Sequence, residues 1–304
     1  MIDYQIQTTA SDGKFSPREC VKMAKENGLI SVAITDHDTV GGVREGLEAG
    51  KEFDIEVIPG IEISAHEPDG NIHMLGFGID YEDPALITQL EELKDDRAVR
   101  AKLMVEKLKE LGFYIEYESV RARSSGLIAR PHMAEEIFAN PLNKEKLEAE
   151  NIHDSRDLFE HYLGDSGRAY VHRVPLSTKE AINIIVRARG VPVWSHPLIP
   201  LNDFKICEER LIRFMPWGLV GIEAIGNFSE DDTKFLNALA GKYRLLRTAG
   251  SDFHDVFVRD EHPDDGATRI GEYYAFGYPT EGIRENLLAA IKRAQSPVVS
   301  RVSI

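Results

Sequence analysis

Ile34-Thr35-Asp36-His37-Asp38 decides the reading of this chain. A β-branched apolar run stops abruptly on a carboxylate, an imidazole and a second carboxylate. Three other stretches answer it: Pro59-Gly60-Ile61-Glu62-Ile63-Ser64, Trp194-Ser195-His196-Pro197 and Ala249-Gly250-Ser251-Asp252-Phe253-His254. Strand ends that converge on His, Asp and Glu are how a barrel assembles a metal site. A solitary histidine after a strand is more often a packing or hydrogen-bonding residue. The company of Glu62, His73, His196, Asp252 and His254 moves His37 towards a ligand role. A fifth stretch, Asp3 to Gly13, belongs with these but carries Gln5 and Gln7. They occupy alternate strand positions, so both face the same way.

Working outward, the first half alternates strand and helix. Residues 2–7 read as a short strand. Ser16-Pro17-Arg18-Glu19 is a capping box with proline at the first helical position, and Gly28 fits the stop. Ile30–Thr35 reads as a buried strand, Val40–Phe53 as a helix, Glu56–Pro59 as a strand, and Asn71–Gly78 as a strand carrying His73. This rhythm predicts parallel strands with helices outside. It stops near Pro84. From there to about Gly112 the pattern is one long amphipathic helix, with Leu86, Leu90, Leu93, Leu103 and Leu108 on or near one face. Residues 113–165 stay helical. Ser177-Thr178-Lys179-Glu180 opens another helix, which Gly190 closes, and Val191–Ser195, Gly221–Ala224 and Leu245–Ala249 are the next strands. Thr280–Arg293 reads as a late helix. The expected architecture is α/β: a distorted (β/α)7 barrel, related to the TIM barrel, from 1–83 and 166–304. Residues 84–165 read as a helical insertion beside the barrel.

Composition sets outer bounds. With 36 Lys and Arg against 51 Asp and Glu, the formal charge is −15, which argues against duplex nucleic acid as a partner. A small anionic substrate stays open, since bound cations reverse the local sign. The two cysteines, Cys20 and Cys207, lie in no metal-like spacing, and a reducing compartment is the simpler reading. No opening signal peptide is visible, and no apolar run is long enough to span a bilayer. The expectation is a cytoplasmic protein.

These motifs together resemble the PHP-domain phosphoesterases (the polymerase and histidinol phosphatase superfamily), of the stand-alone type that includes 3′,5′-nucleotide bisphosphate phosphatases. That family opens with His-x-His-x-x-x-Ser-Asp-Gly. Here the histidines are replaced by Gln5 and Gln7, and Ser11-Asp12-Gly13 is intact. Asp36-His37-Asp38, Gly60-Ile61-Glu62, His73, Arg130-Pro131-His132, Ser195-His196-Pro197 and Gly250-Ser251-Asp252-Phe253-His254 follow in family order. The resemblance implies two or three divalent metal ions, with manganese, iron and zinc as candidates. One set is Glu62, His73 and His196; another is Asp12, His37 and His254. The remaining set, the first-strand pair with Glu62 and Asp252, keeps only the two carboxylates. Gln5 and Gln7 can offer amide oxygens to a hard cation but replace imidazole poorly for zinc or iron.

The implied activity is metal-dependent hydrolysis of a small phosphorylated metabolite or nucleotide, a short oligonucleotide included. Asp252 and Asp38 are the catalytic candidates, with Asp38 preferred as a carboxylate that orients His37. Arg130 and His132 fit a grip on the phosphate, the guanidinium through bidentate donation. Arg168 and Arg173 are weaker candidates. Ser11 reads as part of a turn that aims Asp12 rather than as a nucleophile. Trp194 reads as core, and His66, His153, His161 and His172 receive no role. Two rival readings stand beside this one: a PHP relative that binds metal or ligand with little or no turnover, and an amidohydrolase-like enzyme acting on a non-phosphate substrate.

Overall fold

The computed structural model describes residues 1–68, 70–124, 128–164, 166–171, 176–199, 202–256 and 269–296. Arg173 and His172 lie outside them. Seven strands form one sheet in sequence order: β1 Ile2–Asp3, β2 Ser31–Ile34, β3 Glu56–Glu67, β4 Gly70–Phe77, β5 Val191–Trp194, β6 Gly221–Ile225 and β7 Leu246–Ala249. Its two ends meet. Tyr4 N–H donates to Ala249 O at 3.0 Å, Gln7 N–H donates to Phe253 O at 2.9 Å, and Ile6 bridges Phe253 in parallel. The sheet is therefore a nearly closed seven-strand barrel, as the sequence predicts.

One prediction is corrected. Pairing of β3 with β4, and of β4 with β5, is antiparallel, while the other pairs are parallel. The strand expected over 56–59 runs on to Glu67, and the link to Gly70 is too short for a helical crossover, so the chain can only fold back as a hairpin. That hairpin matters for the site. His73 pairs with Ser64, two residues from Glu62, so the three side chains share one face.

The local signals behave largely as read. Ser16 and Ser177 both form capping boxes, with Glu19 and Glu180, opening α1 (Pro17–Glu26) and a later helix at Thr178–Arg187. Gly28 takes φ 78° just after α1. Gly190 does not play that part; the left-handed residue there is Arg189 at φ 59°. Gly190 is needed for space, since a Cβ would stand 2.6 Å from Ile79 Cγ2. Helix α2 is Val43–Phe53, shorter at its start than expected, and α3 is the long helix Pro84–Glu110. The helical stretch continues through α4 (Tyr117–Arg123), α5 (Arg130–Ala139), α6 (Lys144–Ala149), α7 (Ser155–Leu158) and a π-helical turn at Phe159–Leu163. The outer helices resume with α8 (Thr178–Arg187), α9 (Phe204–Phe214), α10 (Glu230–Tyr243) and α11 (Ile283–Gln295).

Packing separates these groups. Tyr4, Leu75, Phe77, Val193, Ile225 and Ala249 cluster with Ile283, Leu287 and Ile291 of α11. Trp194 is buried as expected, its ring 5.1 Å from Phe214. Helix α3 serves two clusters: Leu86 and Leu90 pack with the outer face of the sheet, whereas Ala101, Met104, Val105 and Leu108 pack with Phe113, Ile137, Leu158 and Tyr162. Leu103, expected on the apolar face, is 51% exposed, because the buried stripe in that half runs through 101, 104, 105 and 108 instead. Both cysteines are free and buried. Among the described residues, no helix is long and apolar enough to cross a membrane.

Candidate metal centre

The polar strand ends converge on Glu62, which is fully buried on β3. Its Oε1 lies 3.1 Å from His73 Nδ1 and 3.3 Å from His196 Nε2, and those two nitrogens are 3.2 Å apart. In a tetrahedral site with bonds of about 2.1 Å, ligand atoms stand about 3.4 Å apart. The three atoms already approximate that spacing, so Glu62, His73 and His196 fit a metal. A second grouping, Asp12, His37 and His254, places one ligand atom from each within 4.8 Å of the others. His37 also reaches towards Glu62, its Nδ1 standing 3.9 Å from Oε2. Buried His37 Nδ1 has no hydrogen-bond partner among the described residues, as expected of an atom awaiting a ligand.

Local structure aims these groups. In Ser11-Asp12-Gly13, Ser11 Oγ donates to Asp36 Oδ1 at 2.7 Å and lies 3.2 Å from Gln7 Oε1. Its hydroxyl is thus spent on holding the turn, as read. A Cβ on residue 13 would stand 2.3 Å from Gln7 O, so only glycine lets the turn close. Asp36 also accepts from Thr8 N–H at 2.7 Å; burial dominates and lifts its pKa to about 6, against the pull of these bonds. Asp38 is buried at φ 50°, and its Oδ1 accepts Ser64 N–H at 2.8 Å, tying the end of β2 to β3. Asp252, at φ 54°, stands between the two groupings: its Oδ1 is 3.9 Å from His254 Nδ1, and its charge reaches His196.

Two positioning residues went unread in the sequence. Asp3 is buried; its Oδ1 accepts Ser251 N–H at 2.9 Å and its Oδ2 accepts Ser251 Oγ at 2.5 Å and Gly271 N–H at 2.7 Å. It anchors the segment that carries Asp252 and His254. Glu223 on β6 is buried and its Oε2 accepts His196 N–H at 2.9 Å, where the backbone is held at φ 28°. A carboxylate at the middle of an apolar strand is the signal that could have revealed it. Glu223→Ala is expected to weaken metal binding about 10- to 100-fold by freeing the His196 turn, whereas Glu223→Gln keeps an acceptor and most of the affinity. Competition with a chelator measures both; equal losses would disprove the role.

Beside the metal groupings lies a cleft of about 230 Å3, walled by Asp12, His37 and His73 on the barrel and by Arg100, Met104, Arg130 and Phe159 on the helical segment. Arg130 lines it, donating to Leu163 O at 3.2 Å with its guanidinium 5.7 Å from the Phe159 ring centre. Glu135 pairs with Lys14 and Glu136 with Arg123. His132 is placed differently. It is 4% exposed, its Nδ1 accepts Ala129 N–H at 2.9 Å as a helix cap, and it is not among the residues that line the cleft. Arg168 pairs with Glu150 at 2.7 Å. The structure adds Arg100, whose Nε donates to Val171 O and whose guanidinium is 4.9 Å from the Tyr170 ring, and His66, 3.1 Å from Asn71 Oδ1.

The PHP domain pattern matches residues 3–139. A 5′-3′ exoribonuclease from Haemophilus influenzae is 31% identical over 253 residues, covering 83% of this chain and 89% of that one. The chain belongs to the PHP-domain family. A 3′,5′-nucleoside bisphosphate phosphatase from Chromobacterium violaceum is 29% identical over 273 residues, covering 89% and 90%. A solved structure from Bifidobacterium adolescentis, provisionally assigned as a metal-dependent phosphoesterase, superposes with TM-score 0.78 at 28% identity, covering 95% and 96%. PHP-family relatives are thus hydrolytic phosphoesterases, and divalent metal use fits the two ligand groupings here.

The remaining PHP ligand set does not fit. Gln7 Nε2 donates to Glu62 Oε2 at 2.6 Å, and Gln5 Nε2 donates to the same oxygen at 3.1 Å and to Ser195 Oγ at 2.8 Å. N–H hydrogens point where a cation needs lone pairs.

The charge states follow from this geometry. Burial pushes the Glu62 carboxyl up, but His37, His196 and His73 hold it well below the usual range. Burial keeps His73 low. For His196 burial is outweighed by Glu62, Asp252 and Glu223, which lift it to about 9; for His254 Asp252 and Asp12 do the same, also to about 9. Both imidazoles are therefore charged at neutral pH in the metal-free protein. Being raised above 6.5, each contributes stability that is full below pH 6.5 and lost as pH rises through about 9. A metal takes neutral imidazole, so binding displaces these protons. Affinity is expected to climb with pH until about 9, with proton release on titration in buffers of differing ionisation enthalpy. A flat profile from pH 6.5 to 8.5 would rule this out.

Proposed function

We propose that this PHP-family chain is a metal-dependent phosphoesterase that hydrolyses a nucleoside bisphosphate or the terminal nucleotide of a short single strand. The observation that carries the reading is the meeting of Asp12, His37 and His73, members of the metal-ligand groupings, with Arg100 and Arg130 of the helical segment around one cleft of about 230 Å3. Glu62, His73 and His196 would hold one divalent cation and Asp12, His37 and His254 the other. Bound there, two cations acidify water and neutralise phosphate oxygens. Manganese, iron and zinc all suit this mixed His and carboxylate set.

The chain's own residues do the rest. Arg130 grips the non-bridging oxygens of the reacting phosphate, where charge grows as the bond breaks. Arg100, on the neighbouring wall, takes the second phosphate of a bisphosphate or the next one along a strand. The faces of Tyr170 and Phe159 flank these cations and offer a place for a base to stack. Asp252 Oδ1, buried and without a hydrogen-bond partner among the described residues, accepts the proton of the attacking water. The helical segment 84–165 thereby supplies the substrate side of the site and the barrel supplies the chemistry. A cleft of this size and a chain of −15 formal charge both disfavour duplex substrates.

The test is phosphate release from nucleoside 3′,5′-bisphosphates, mononucleotides, sugar phosphates and short 5′-phosphorylated RNA, each with manganese present. Preference for the bisphosphate or the RNA end over a mononucleotide is the expected result. No hydrolysis of any phosphate ester by metal-loaded protein would overturn the reading.

A further inference from the structure

The first strand carries an inference about how this site is built, resting on the metal-dependent reading above. In the PHP resemblance the first metal set needs two imidazoles at positions 5 and 7. Here both side chains are fully buried and both amide nitrogens converge on one oxygen, Glu62 Oε2. The orientation of Gln7 is dictated by its neighbours. Its Oε1 accepts His37 N–H at 3.1 Å and lies 3.2 Å from Ser11 Oγ, while its Nε2 faces a carboxylate. Turning the amide over would set oxygen against the Glu62 carboxylate and N–H against the His37 N–H, two repulsions in a buried place. The Gln5 nitrogen also faces Glu62, while its Oε1 is buried without a hydrogen-bond partner among the described residues.

Glu62 is thereby divided. Oε2 receives two amide donors, and Oε1 faces the imidazoles of His73 and His196. We propose that the Gln5 and Gln7 carboxamides replace the first cation, making this chain a two-cation member of its family. The positive ends of two N–H dipoles deliver to Glu62 Oε2 what the missing metal would, and so hold the carboxylate aimed at the Glu62–His73–His196 cation. Gln7 extends the effect, because its carbonyl fixes the backbone of His37 in the other grouping. On this account the glutamines are working parts of the centre rather than a defect in it.

Metal counting tests this without reference to turnover. Protein stripped, reloaded with manganese or zinc and desalted is expected to carry two equivalents per chain by elemental analysis. Gln5→His with Gln7→His is expected to carry three. Gln5→Leu with Gln7→Leu, which removes the donors, is expected to bind the Glu62 cation about 10- to 100-fold more weakly in chelator competition, with a folded far-ultraviolet spectrum as control. Three equivalents in the parent would overturn the proposal, and that count decides even where a variant fails to fold. Unchanged affinity in the leucine variant would also overturn it. A parent that binds two cations yet hydrolyses no phosphate ester supports this proposal and defeats only the functional reading.

Discussion

Glu62→Ala is expected to remove the cation of the Glu62–His73–His196 grouping and to reduce phosphoesterase turnover below detection. Glu62 is the one side chain that the Gln5 and Gln7 amides, His73, His196 and His37 all approach, at distances from 2.6 to 3.9 Å. Removing it leaves the His196 imidazolium without the partner that most lifts its pKa, deprives the buried Gln7 Nε2 of its acceptor and leaves Gln5 Nε2 with Ser195 Oγ. Breaking a buried charge pair by deleting one partner costs about 3–5 kcal/mol. The metal-free variant should therefore melt roughly 10 °C lower as well. Elemental analysis, a thermal melt and the phosphate-release assay check the three parts. Retention of two cations in Glu62→Ala would show that the site is organised around some other residue.

Arg130→Ala is expected to lower kcat/KM about 100- to 1,000-fold while leaving the metal count intact, the usual loss when a donor to developing transition-state charge is removed. Arg130 also donates to Leu163 O and contacts the Phe159 ring, so a thermal melt of the variant accompanies the assay. Arg130→Lys should recover little, because an ammonium cannot make the planar two-point contact. Inhibition by inorganic phosphate should weaken in parallel. A fall of less than threefold would return Arg130 to a role in holding the helical segment together.

Much of the centre was legible before the fold was known. His37, His196 and His254 stand at the ends of apolar runs and Glu62 within one, and such runs become strands whose ends must meet if the sheet closes. The two capping boxes, at Ser16 and Ser177, were equally plain, because a cap is a contact between residues three apart. Glu223 and Asp3 were not legible. Each works through a bond to a residue far along the chain, His196 and Ser251; a carboxylate inside an apolar strand marks Glu223 as unusual, but no local pattern announces its partner. Arg100 and Arg130 lie far apart in sequence, and only the fold brings both to one cleft. His132 shows the reverse case: the motif suggested a substrate contact, and the ring lies buried as a helix cap.

The sequence by itself determined the barrel class, the ligand types and the loss of imidazole at positions 5 and 7. Periodicity, capping and the chemistry of single side chains are local, so they survive in one dimension. Tertiary structure alone decided that β4 runs antiparallel, bringing His73 across from Ser64 beside Glu62. It also decided what the glutamines do. Whether a carboxamide offers its oxygen to a metal or its N–H to a carboxylate depends on which partners surround it. Those partners, Glu62, Ser11, Ser195 and the His37 backbone, are assembled only when the strands close.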